Sequence, residues 1–217
     1  MATNTGTIFL VAGYRRTGKD MLFNILSNPD DSTSRFKWRV YKHPDNEWME
    51  FRGDGEYQRL AFADQLKREA SLQYGIPLVV SDAEKDRKQF IHYQTGAQVS
   101  ARDIYIEWGA VRRAENPNYW CAAAAKQVTD PNMKYVVTDW RYRNESRYII
   151  KTLPYVVTVR VYRSEVPEPD LTIESEHDLD AETTHTLLLR EDDHEKEFVA
   201  AVKRFPQYQD FVPCETL

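Results

Sequence analysis

The sequence predicts one three-layer α/β domain, with helices covering both faces of a mainly parallel sheet. Three observations carry that prediction. Short apolar runs alternate with longer segments of helical periodicity. The apolar runs at 7–12, 134–139 and 155–163 are continuous rather than alternating, as expected of strands buried on both faces of a parallel sheet. No internal repeat, low-complexity tract or linker divides the 217 residues, so residues 1–217 are expected to form a single domain.

Taken in order, the run at 7–12 leads into a glycine-bounded loop. Met21, Leu22, Ile25 and Leu26 then recur at helical spacing, giving strand, loop and helix. FKWRVY (36–41) predicts a second short strand, and the polar, turn-rich stretch 42–59 a surface loop or small hairpin. YQRLAFADQLKREASLQYG (57–75) predicts a helix stopped by Gly75 and Pro77. Residues 81–98 are highly charged and predict surface helix and loop. Two further helices are expected at about 101–114, stopped near Pro117, and at 120–128. THTLLLRE (184–191) predicts a late strand, and 195–205 a closing helix.

Composition narrows the class of function. Hydrophobic residues make up 41% of the chain, but no apolar run approaches the roughly 20 residues that cross a bilayer, so no membrane association is expected. MATNTGTIFLVAG lacks a basic region before its apolar run, which predicts no signal peptide and a cytoplasmic location. The two cysteines, Cys121 and Cys214, lie far apart, as in a reducing compartment. A formal charge of −5 argues against a nucleic-acid polymer as partner. Yet arginines recur beside strand ends and turns (Arg15, Arg16, Arg102, Arg112, Arg113, Arg141, Arg143, Arg160 and Arg163), a pattern suited to a small anionic ligand. The histidines His43, His92, His177, His185 and His194 show no metal-ligand spacing and are expected mostly at the surface.

The strongest motif runs from Gly13 through Arg15, Arg16, Thr17, Gly18 and Lys19 to Asp20. Its G-x-x-x-x-G-K spacing lies between a buried strand and an amphipathic helix, the context in which a phosphate loop has meaning. Glycines let the backbone wrap a phosphate with its N–H groups inward, and the helix N-terminus adds partial positive charge. Lys19 would reach the β- and γ-phosphates of ATP. Asp20 stands where a Ser or Thr hydroxyl usually meets Mg²⁺, and its carboxylate would be a harder, charged ligand. Arg15 and Arg16 would offset that charge. A plain glycine turn with Asp20 in the first turn of the helix is the other reading.

Four further stretches join the loop in resembling a family. The loop with its G-x-x-x-x-G-K-D pattern, LAFADQLKREA (60–70), RDIYIEWGAVRRAENPNYWC (102–121), VVTDWRYRNE (136–145) and DLTIESEHDLD (170–180) follow in order. Together they resemble the phage and viral deoxynucleoside monophosphate kinases, and the related phosphomevalonate kinases of animals. The resemblance implies a P-loop kinase fold, an acceptor-binding region at about 58–120 and a lid at about 161–180. It implies transfer of the γ-phosphoryl group of ATP, with Mg²⁺, to a deoxynucleoside 5′-monophosphate. It also implies a viral source, and hence a host cytoplasm. The block at 108–121 follows the phosphomevalonate kinases, whereas DWRYRNE follows the nucleotide enzymes. The nucleotide acceptor is favoured, with phosphomevalonate second. A nucleotide-binding module without phosphotransfer is the reading from another class, and a homodimer is compatible with the sequence.

The resemblance matches Lys67 to an acceptor-side lysine, Trp108 and Gly109 to a W-G pair, and Arg141 to the arginine of a D-x-R segment. Arg15, Lys19, Arg113 and Arg141 are the expected catalytic set. Helical geometry adds that Arg102, Ile106, Gly109 and Arg113 share a face, with Ile104, Trp108 and Val111 opposite, facing the sheet. Gly109 would admit a phosphate between the two guanidinium groups, or else relieve a crowded helix contact. Asp139, at a strand end, would hold Mg²⁺ through water or cap the next helix. Asn144 and Glu145 would read the acceptor or start that helix. Arg160 and Arg163 precede the lid, to which Ser175 and Glu176 belong.

Overall fold

The computed structural model describes residues 6–14, 17–27, 37–42, 47–50, 57–152, 155–162, 172, 178, 179 and 185–190. Strand β1 (Thr7–Ala12) runs into a loop and helix α1 (Lys19–Ser27). Strands β2 (Lys37–Lys42) and β3 (Glu47–Glu50) pair antiparallel, so the strand expected at 36–41 joins one from the stretch expected as a surface loop or small hairpin. Strand β4 (Tyr57–Leu60) precedes helix α2 (Ala63–Tyr74), which ends at Gly75 as expected. A short helix α3 (Asp82–Lys85), strands β5 (Lys88–Ile91) and β6 (Gln98–Ser100), and helices α4 (Ala101–Glu115) and α5 (Tyr119–Ala125) follow. Strand β7 (Lys134–Val137), helix α6 (Arg143–Ile149), strand β8 (Tyr155–Tyr162) and strand β9 (His185–Arg190) complete the described elements. The expected closing helix at 195–205 lies outside the described residues.

The result is an α/β arrangement, a mostly parallel sheet with flanking helices. The seven strands lie in the order β3-β2-β9-β8-β1-β7-β4. From β9 to β4 every neighbouring pair is parallel, while β2 pairs antiparallel with β9 and β3. Strand β1 therefore has a parallel neighbour on each side and is buried accordingly, with Ile8, Leu10 and Val11 at 0% exposure. Leu22 of α1 closes on Val11, Val136, Val159 and Val161, with Phe9, Phe23, Tyr57 and Val157 at the margin. Each such side chain contributes about 1.5–3 kcal/mol by leaving water.

Two local expectations change, at 57–62 and in the charged stretch 81–98. The helix anticipated from Tyr57 begins only at Ala63, because Tyr57–Leu60 pairs in register with Lys134–Val137 as an edge strand. Gln58 and Arg59 face solvent there, while Tyr57 meets Phe9 edge-on at 5.6 Å and lies under the Lys134 ammonium. By its contacts the chain divides into two compact units, Met1–Leu60 with Thr129–Leu217, and Ala61–Val128. The charged stretch expected as surface helix and loop supplies β5 and β6, a hairpin of the second unit.

The Ala61–Val128 unit has its own core, in which Ala70, Ile76, Ala101 and Ile104 pack with Tyr74, Val80, Phe90, Val99 and Tyr105. Ser100 and Asp103 form a capping box that starts α4. The unit also holds a half-buried carboxylate. Glu69 accepts hydrogen bonds from Tyr119 Oη at 2.6 Å, Trp108 Nε1 at 2.9 Å and Gln65 Nε2 at 3.1 Å, with Arg112 Nε at 3.5 Å. Burial raises the Glu69 pKa, but the three donors and the Arg112 charge outweigh it, so the group titrates below its ordinary value of 4.5. A depressed carboxylate stabilises the fold above its unfolded pKa and loses that contribution as pH falls through its folded pKa. Glu69→Gln is therefore expected to cost about 1–3 kcal/mol at pH 7 in denaturant unfolding. The gap from the parent protein should narrow as pH falls from 4.5.

Candidate functional site

At the carboxyl end of β1 the chain turns through Gly13, Tyr14, Thr17 and Gly18 into α1. Gly13 has φ 150° and Gly18 φ 94°, backbone conformations that side chains with a Cβ rarely adopt. Space is short as well, since a Cβ on Gly13 would lie 2.7 Å from both Val161 O and Thr17 Oγ1. Thr17 is buried and its hydroxyl donates to Tyr14 O at 3.0 Å, which closes the turn from inside. The Lys19 ammonium donates to Gly13 O and Tyr14 O, each at 2.7 Å. A lysine at the first position of a helix thus reaches back across the loop, placing its charge beside the positive end of the α1 dipole. Arg15 and Arg16 lie outside the described residues.

Asp20 is exposed, and its Oδ1 accepts a 2.6 Å hydrogen bond from Thr138 Oγ1. Thr138 directly follows β7 and is itself buried, with Asp139 next in the chain. An exposed carboxylate braced in this way fits the oxygen chemistry of Mg²⁺, so Asp20 is the residue that would hold the metal, with Asp139 beside its brace. Among the described residues no group of three or more His, Cys, Asp or Glu forms a cluster suited to an all-protein metal cage. Arg160 is buried and its guanidinium lies 5.6 Å from the Tyr14 ring, on the wall of the loop. It therefore belongs with Gly13 and Lys19. The lid residues Arg163, Ser175 and Glu176 lie outside the described residues.

The segment after β7 divides its roles differently from the expectation. Glu145 is buried, and its Oε2 accepts from the backbone N–H of Arg141 at 2.8 Å and of Tyr142 at 3.1 Å. Its carboxylate starts α6, the second of the two roles the sequence left open, because buried amides at a helix start need an acceptor. Arg141 keeps an exposed side chain, and Asn144 is half-buried. Arg143 was unassigned. It donates to Asp178 O at 2.8 Å and faces the Asp178 carboxylate at 3.1 Å, fixing one point of the stretch expected as a lid to α6.

Within Ala61–Val128 the expected acceptor residues do not form one cluster. Arg102 is paired with Asp86, and its backbone lies about 16 Å from that of Arg113 along the axis of α4. Gly109 is buried, and its carbonyl accepts from Trp120 Nε1 at 3.3 Å. A Cβ there would meet Leu66 Cδ1 at 3.2 Å and the Arg113 guanidinium at 3.3 Å, so Gly109 makes room for side chains of its own unit. The face assignment of α4 holds for Ile104, Trp108 and Ile106 and fails at Val111 and Gly109. Ile106 and Val111 are exposed at 63% and 43%, while Ile104 and Gly109 are buried. The packed side meets α2 and α5, and its central cation is Arg112, set over the Trp108 and Tyr119 rings at 4.9 and 5.2 Å. Trp108 itself is committed to Glu69. Lys67 is half-buried on α2. His92, expected at the surface, is buried and bonds Glu107 at 3.0 Å.

No protein-family model matches this sequence, and no curated protein matches it. The site therefore rests on its own geometry. Among its parts, the Gly13 turn is the least tolerant. Gly13→Ala would force a methyl group against the Val161 carbonyl. The expected outcome is a loss of about 1–3 kcal/mol in thermal or denaturant unfolding.

Proposed function

We propose that this chain is a P-loop kinase with a three-layer αβα sheet region, moving the γ-phosphoryl group of ATP to a deoxynucleoside 5′-monophosphate. The observation that carries the proposal is the glycine turn from a central parallel strand into α1, with the Lys19 ammonium held at 2.7 Å from two loop carbonyls. On this reading Lys19 exchanges those carbonyls for phosphate oxygens, and the loop amides and the α1 N-terminus take the remaining charge. Mg²⁺, held by Asp20 with Asp139 beside it, would supply charge neutralisation across the phosphate oxygens. Arg160 and Tyr14 would fix the loop wall.

A phosphate monoester is already anionic at neutral pH and attacks without a strong base, so the chemistry reduces to positioning and charge. Lys67, Arg113 and Arg141 are the proposed acceptor cations. Arg102 leaves that set because Asp86 holds it, and Glu145 because it caps α6. The commitment of Glu145 also weakens the match that favoured a nucleotide. Phosphomevalonate accordingly remains the second acceptor class. The proposal carries with it a cytoplasmic setting and no nucleic-acid or membrane partner; among the described residues, no helix is long and apolar enough to cross a membrane.

The test is ADP release from ATP and Mg²⁺ with dAMP, dCMP, dGMP, dTMP and phosphomevalonate offered separately. Turnover with a nucleotide is the expected result. Turnover with phosphomevalonate alone would move the acceptor assignment, and ATP binding without turnover of any acceptor would leave a binding module. Lys19→Ala should cut turnover on the order of 10²–10³-fold with an unchanged circular dichroism spectrum. Arg113→Ala should raise the KM for the acceptor while ATP binding is retained; an equal loss of ATP binding would assign Arg113 to the donor.

A further inference from the structure

In the common phosphate loop the loop supplies a hydroxyl toward Mg²⁺, and a carboxylate comes from elsewhere in the sheet. Here the loop supplies the carboxylate of Asp20 and the end of β7 supplies the hydroxyl of Thr138, in contact at 2.6 Å. We propose that Thr138 is a positioning residue which fixes the Asp20 carboxylate for the metal, the two residues having exchanged the hydroxyl and carboxylate roles. The inference rests on the phosphate-loop reading above and specifies how that loop handles its metal.

The geometry supports an orienting role in three ways. At 2.6 Å an O–H···O⁻ contact falls in the range of charge-assisted hydrogen bonds, about twice as strong as neutral ones. The donor is the fixed partner, since Thr138 is 3% exposed and its β-branched side chain has little rotamer freedom, whereas Asp20 is exposed. An acidic residue in the first turn of a helix ordinarily turns toward the free amides there. Thr138, 118 residues away in the chain, instead draws the Asp20 side chain off to β7. The bond occupies Oδ1, and among the described residues Oδ2 accepts no hydrogen bond. Donation to Oδ1 also spreads the negative charge that Asp20 adds beside a polyphosphate.

The experiment uses the full chain and a fluorescent ATP analogue, titrated with and without Mg²⁺, alongside the Mg²⁺ activation curve of ADP release. Thr138→Val removes the hydroxyl at nearly constant volume. It is expected to weaken the metal dependence of analogue binding about 10- to 100-fold, with metal-free binding within about two-fold of the parent, while Thr138→Ser restores parent behaviour. Thr138→Cys, a poor donor of similar size, replaces the valine variant if that protein does not fold. An unchanged Mg²⁺ dependence in the variant would overturn the role of Thr138 alone. A parent protein that binds the analogue equally with and without Mg²⁺ would do the same. A parent protein that binds no analogue under either condition would overturn the phosphate-loop reading and this inference with it.

Discussion

The loop between β1 and α1 is held by an ammonium group bonded to two carbonyls of its own backbone. Charged hydrogen bonds of this kind contribute about 1.5–3 kcal/mol each, and they order a turn that its glycines would otherwise leave loose. Beside this contact, Gly13 lies against the Val161 carbonyl, where β8 pairs with β1 in parallel register and Ile8, Leu10 and Val11 of β1 are buried. Phosphate oxygens would replace carbonyl oxygens one for one around the same nitrogen. Lys19 therefore organises the loop before a ligand arrives and needs no large movement to meet one, the arrangement that keeps the ordering cost out of binding.

The unit Ala61–Val128 solves a different problem. Its arginine-rich helix α4 invites the reading that every guanidinium waits for an anion, but Asp86 and Glu69 take up two of them. Glu69 is 13% exposed and shares its oxygens among a phenol, an indole and an amide, with a guanidinium nearby. Removing one partner of such a set leaves the others buried and unsatisfied, so the group acts as a whole. Arg112 is thus a structural cation on the packed face.

How much of this was legible in the sequence depended on the distance over which each feature is determined. Strand, glycine loop and helix at the N-terminus were legible because the apolar run, the glycines and the helical period lie within about 20 consecutive residues. The same holds for β7, for β8 and for the stop at Gly75. Strand β4 was not, since an edge strand of four residues with Gln58 and Arg59 in solvent carries neither alternation nor an apolar run. The packed face of α4 was legible only in part, for a related reason. Periodicity groups residues by angle but does not say which angle is covered, and a half-buried Arg112 with exposed Ile106 and Val111 reverses the hydrophobic cue. The brace on Asp20 was out of reach altogether, because nothing local marks Thr138 as the partner of a residue 118 positions earlier.

Charge balance ties these observations to the metal. Asp20 adds a carboxylate where a hydroxyl would be neutral, Asp139 stands one residue beyond its brace, and on the proposed reading a bound nucleotide would add several further negative charges. Lys19 and Arg160 are the described cations at the loop, and Arg160 is buried against Tyr14. At separations of a few ångströms near a protein surface, each like-charge pair costs a few kcal/mol. Arg15 and Arg16 of the same loop would offset part of that sum, and a bound divalent metal would offset more. The Thr138 bond lowers the cost of the extra carboxylate and, on the proposed reading, would leave the second oxygen for a metal.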